Sequence, residues 1–134
     1  MWKTSTKETL DRHLSAEAVD VCMRYFDLIK TVDELAAGRQ NIPDVVAATA
    51  DFISGYRGNK FYASHRALLK PIADYGYLFW AEALVASRTA NTDNARTVMA
   101  MTRRQFHEFA MACASIEGKN GMDLRSELIL SQVL

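Results

Sequence analysis

Three histidines, two cysteines and several clustered arginines and lysines are the side chains of this 134-residue chain whose types suit chemistry. His107 precedes Glu108 and so opens like the zinc-binding pattern H-E-x-x-H, but Met111 occupies the place of the second ligand. No other His/Cys spacing has the form of a metal site. His65 falls on the apolar stripe of a helix, where an imidazole is ordinarily a hydrogen-bonded core residue. His13 stands near a helix C-terminus, where its cationic form is favoured by the helix dipole. Cys22 and Cys113 lie among apolar neighbours, with no basic group beside them in sequence to make a reactive thiolate. They are expected to be small buried hydrophobes. No nucleophile, base and orienting group are paired, so the chain is expected to be no enzyme and to use no cofactor or metal.

Arg103 and His107 stand one helical turn apart, and in this they resemble the helical ribonucleases that pair an arginine with a nearby histidine. That family sets the two further apart, and a solvated basic patch is the simpler reading. The glycines at 55, 58, 118 and 121 make neither a Walker A loop nor a G-x-G-x-x-G turn. Gly55 to Lys60 resembles a G-x-x-G RNA clamp only in its glycines, because the strands that fold requires are missing.

Basic residues gather in the middle of the chain. Residues 39–107 hold nine basic and five acidic groups, against five and seven before them and two and four after. Arg57, Lys60, Arg66 and Lys70 belong to one loop–helix unit, and Arg96, Arg103 and His107 share a face if their helix is continuous. Together with Arg104 they are the candidate nucleic-acid contacts. Thr102 to His107 would suit the opening of a recognition helix if a helix began there. Against this stands a formal net charge of zero, with 16 basic and 16 acidic side chains.

Apolar surplus is the other feature. Tyr75, Tyr77, Leu78, Phe79, Trp80 and Leu84 fall within ten residues, more than one helix face can bury. Tyr75, Tyr77, Trp80 and Leu84, with Leu128 and Val133 of the tail, are the candidate interface to a protein partner or a second copy of the chain. Substituting Trp80 by alanine is then expected to weaken assembly.

The elements that position these groups read as helices throughout. Strand signals are nearly absent, and the periodicity is helical. A short helix over residues 6–14 has Ser5 and Glu8 in capping-box spacing. Ser15 caps a second helix over residues 16–37, with Ala18, Cys22, Tyr25, Phe26, Ile29 and Val32 inward and Gly38 as its stop. Pro43 starts a third, carrying Val45, Val46, Ala48, Ala50, Phe52 and Ile53. After a loop over residues 55–59, a helical pattern runs from Lys60 to Ala86, with a kink or break expected at Pro71. Residues 87–94 read as a loop. The next helix starts at Asp93 or Asn94 and runs to Ile116, or restarts at Thr102, whose spacing to Gln105 is again that of a capping box. Gly118 to Gly121 is a break, and Met122 to Leu134 a short docking helix.

The expected fold is therefore all-α, a single compact bundle of about five to seven helices over residues 1–134. No signal peptide is visible, the longest apolar stretch falls short of the roughly 20 residues of a membrane span, and two scattered cysteines fit a reducing, cytoplasmic setting. Tyr77 to Leu84 with Met101 to Phe106 resembles parts of the flagellar master-regulator D subunit, over less than a third of the chain and with different spacing. That family is a helical dimer that helps activate transcription through a partner subunit. From the residues themselves, the expected function is a non-catalytic helical regulator or adaptor acting through protein–protein contact or self-association. The alternative is a DNA-binding transcriptional regulator using the basic middle segment.

Overall fold

A computed structural model describes residues 2–36, 43–44, 47, 49–51, 58–89 and 92–133. Within these, the helices are α1 (Trp2–His13), α2 (Ala16–Ala36), α3 (Lys60–Ser64), α4 (Arg66–Thr89), α5 (Thr92–Ile116) and α6 (Gly121–Val133). Residues 43–44, 47 and 49–51 are also helical, and the described residues include no strand. The protein is an all-α bundle. Gly38, Val45, Val46, Ala48, Phe52, Ile53, Gly55 and Arg57 lie outside the described residues, as do the side chains of Val32, Tyr77, Leu78, Phe79, Trp80, Leu84 and Val133.

The centre of the bundle is the antiparallel seam between α2 and α5. Ser15, just before α2, donates its backbone N–H to Glu117 Oε1, just past α5, at 2.8 Å. Further along, Cys22 faces Cys113, Tyr25 stacks on Phe109 at 4.8 Å between ring centroids, and Phe26 meets Phe106 edge-on at 5.4 Å. Each step moves forward on α2 and backward on α5, as two antiparallel apolar stripes must. Helix α4 packs against both of these helices and contributes Leu69 and Ala73 to the core. Helix α6 lies between α1 and α5 and contributes Leu124 and Leu128.

Helix ends follow local chemistry where that chemistry is strong. Ser15 Oγ accepts from the N–H of Ala18, the cap expected for α2. At the end of α5, Gly118 takes φ 72°, a left-handed conformation costly for any residue with a Cβ. It lets the N–H of Lys119 reach the Ala114 carbonyl at 2.8 Å and that of Gly118 reach Ser115 at 3.1 Å, a Schellman closure. Asn120 Oδ1 then accepts from the N–H groups of Met122 and Asp123 and starts α6.

Three expectations are corrected, and the choice left open at Thr102 is decided. Helix α1 begins at Trp2, so Ser5 is interior, and its carbonyl accepts from the Thr9 hydroxyl. The helical pattern from Lys60 breaks at His65 instead of Pro71, and α4 runs through Pro71 without interruption. His65 accepts the first N–H bonds of α4, which puts Pro71 in the second turn. The carbonyl that loses its partner there belongs to Ala67, which is exposed and open to water. The segment over residues 87–94 is mostly helical, since α4 continues to Thr89 and α5 starts at Thr92. Helix α5 does not restart at Thr102, whose buried hydroxyl bonds back to the Val98 carbonyl at 2.6 Å.

Candidate functional site

Helix α4 carries exposed apolar side chains among its described residues. Leu68 is 49% exposed and Tyr75 53%, and half-buried Ile72 lies between them at the spacing of successive turns. Leu69 and Ala73, on the adjacent face, are fully in the core, so the helix is amphipathic toward the bundle and still apolar on part of its outside. Tyr77, Trp80 and Leu84 belong to the same helix further along. Leu128, expected at an interface, is instead completely buried by the chain itself, where α6 meets α1 and α5. Val133 ends α6.

The basic residues divide into two groups. Lys60 opens α3 and Arg66 opens α4, both exposed. Lys70 is committed to an ion pair with Asp74 at 2.8 Å, which neutralises much of its field. Arg96, Arg103 and Arg104 are exposed on α5, and His107 is half-buried. Because α5 is continuous, Arg96, Arg103 and His107 share one face. Arg103 stands in the middle of a 25-residue helix and not at its start, so the recognition-helix opening is not formed. Helices α4 and α5 are two residues apart in sequence and pack on each other, so they run antiparallel. At a rise of about 1.5 Å per residue, Lys70 and Arg96 are then separated by about 20 Å along the axis. By the same count Arg103 lies about 12 Å and His107 about 6 Å along the axis from the level of Lys70, so the two groups approach each other only at the His107 end.

Two of the histidines, His65 and His13, are tied into the fold. His65 Nδ1 is 2.9 Å from the Phe61 carbonyl, with its ring 4.9 Å from that of Phe61. His13 Nε2 is 2.9 Å from Glu127 Oε2, and Arg12 reaches the same oxygen at 3.1 Å. These two bonds, that from His13 foremost, hold the Glu127 carboxyl below its ordinary range. They tie the end of α1 to α6. Arg24 bridges Asp20 and Asp51 at 3.2 and 2.7 Å, and the bond to Asp20 is the larger cause of the upward shift of its guanidinium. Asn59, buried, donates to the Glu17 carbonyl and to Asp20 and accepts from the Tyr62 N–H, so it caps α3 and holds it to α2.

One pairing was not visible in the sequence. Cys22 Sγ lies 3.7 Å from Cys113 Sγ and donates to it, and both thiols are completely buried. The hydrogen bond to Cys113, followed by burial, raises the Cys22 thiol well above its usual pKa. The available signal was the mirrored order of the stripes: a cysteine one turn before an aromatic pair in α2, and one turn after an aromatic pair in α5.

Among the described residues, no group of three or more His, Cys, Asp or Glu side chains could hold a metal ion, and no helix is long and apolar enough to cross a membrane. No family model, curated protein or solved structure matches the chain.

Proposed function

We propose that the protein is a non-catalytic helical adaptor or regulator of the cytoplasm, acting through contact of the outer face of α4 with a protein partner or a second copy of the chain. The reading rests on the exposure of Leu68 and Tyr75 on one stripe of a helix whose neighbouring face is already in the core. Exposed tyrosine is a favoured interface anchor, because its large ring is immobilised at low entropic cost. The double substitution Leu68→Asp, Tyr75→Asp leaves the core untouched and tests the reading directly. Light scattering on the purified chain and nuclease-treated affinity capture should both lose association, by about thirtyfold in Kd for an anchor contributing about 2 kcal/mol. Unaltered association in that variant would remove the α4 face from consideration.

A second reading is favoured by the Arg96–Arg103–His107 face of α5: nucleic-acid binding through phosphate contacts, in a transcriptional regulator. It requires binding that weakens steeply with salt and that Arg96→Gln with Arg103→Gln reduces for all sequences alike. No binding at low salt would end it.

A further inference from the structure

We propose that Cys22 and Cys113 form a redox-closed brace, an internal disulfide made by exchange with a low-molecular-weight disulfide of the glutathione type, which locks α2 to α5 at the centre of the bundle. The geometry carries the inference. The sulfurs are already 3.7 Å apart, so they need approach by only about 1.7 Å to reach the ~2.05 Å of an S–S bond. They come from residues 91 apart in sequence, on the two helices that form the central seam. On one side of the pair lie the stacked rings of Tyr25 and Phe109, and on the other the Ser15–Glu117 hydrogen bond closes the end of the seam.

Glu117 is one helical turn beyond Cys113 and Ser15 two turns before Cys22, and their exposed hydrogen bond closes the seam at that end. Both cysteines are fully buried, and Cys22 is held as the thiol, so the closed bundle does not react. Exchange proceeds when that end opens. One cysteine, as thiolate, then attacks the oxidant's sulfur, giving a mixed disulfide and releasing one small thiol. The second cysteine, losing its proton to solvent, attacks the protein sulfur of that mixed disulfide and releases the second. The two protein thiols are oxidised, the small disulfide is reduced to two thiols, and no other reactant is needed.

The test uses the full chain incubated with oxidised glutathione and then alkylated under denaturing conditions. The expected product is a monomer two hydrogens lighter, with no alkylatable thiol and a Cys22–Cys113 linkage on peptide mapping. It should melt about 5 °C or more above the reduced form, a gain reversed by dithiothreitol and absent from Cys22→Ala and from Cys113→Ala. Glu117→Ala, which uncovers the end of the seam, should oxidise several-fold faster. Two thiols still open to alkylation after prolonged exposure, stable glutathione adducts, or only cross-linked dimers would overturn the proposal. So would a disulfide that lowers the melting temperature.

Discussion

At the scale of single residues, burying a polar aromatic side chain sets how the core responds to pH. Tyr25 places a ring against Phe109 and Phe106 and sends its hydroxyl to the Ile72 carbonyl at a long 3.5 Å. Burial, the main cause, pushes that hydroxyl far above its ordinary pKa of 10.0, with a smaller push from Glu108. Its folded-state pKa is therefore raised, and the folded chain keeps a proton that the unfolded chain loses. The stability this provides is complete below pH 10 and declines as pH climbs from there toward the folded-state value. Tyr25→Phe should cost about 1 kcal/mol or less at pH 7, because the bond it removes is long. It should also flatten the alkaline decline, as read from urea midpoints between pH 8 and 11. Glu127 works in the opposite direction: its lowered carboxyl contributes above the ordinary value near 4.5 and loses that contribution as pH falls below it. Glu127→Gln should flatten the acid limb, and added salt should mask the difference, since the side chain is solvent-exposed. Residue identities that act locally were legible in the sequence: Ser15 as a cap, His65 as a structural imidazole, both cysteines as buried. The cysteine pairing was not, because sequence periodicity places each residue on a face but leaves open which faces meet.

Elements show the same division between local and long-range causes. The Gly118–Asn120 turn was legible because a left-handed glycine and an Asx cap act within a few residues. Gly118→Ala should cost about 1 kcal/mol; no atom lies within 4 Å of the added Cβ, so the penalty is purely conformational. Gly118→Asn should lose less, asparagine being more tolerant of that conformation. The ends of α1 and the continuity of α4 and α5 were less legible, because packing overrides weak local signals there. Capping-box spacing at Ser5 and at Thr102 occurs inside helices anchored by buried apolar residues, Leu10 in one case and Val98 and Phe106 in the other. Pro71 is the sharpest case. It sits in the second turn of α4 and removes one backbone bond, and the packing of Leu69 and Ala73 sustains the helix around it. Pro71→Ala should therefore stabilise the protein by about 1–2 kcal/mol, the restored helix bond outweighing the greater freedom of the unfolded chain. A lower urea midpoint in that variant would show that the proline is better accommodated than its lost hydrogen bond implies.

For the molecule as a whole, the decisive question is which apolar groups the chain consumes itself and which it leaves outside. The sequence identified a surplus and assigned Tyr75 and Leu128 alike to an interface, since both are apolar residues on short helical stripes. The fold separates them: α6 docks into the groove between α1 and α5 and buries Leu128 completely, while the outer face of α4 leaves Tyr75 half in water. That difference follows from tertiary topology, in which a 13-residue tail helix reaches back to the first helix of the chain. The two residues should behave oppositely on substitution. Leu128→Ala leaves a cavity in a filled core and should cost about 2–5 kcal/mol of folding free energy. Any loss of association it shows should track unfolding. Tyr75→Ala removes no core residue and should change the folding free energy read from urea unfolding by about 0.5 kcal/mol or less, while weakening association if the α4 face is the contact surface. Measuring stability and assembly together on both variants separates the two roles. A Tyr75→Ala protein that unfolds early would place that ring in the core, and a Leu128→Ala protein that stays fully folded yet dissociates would return α6 to the interface.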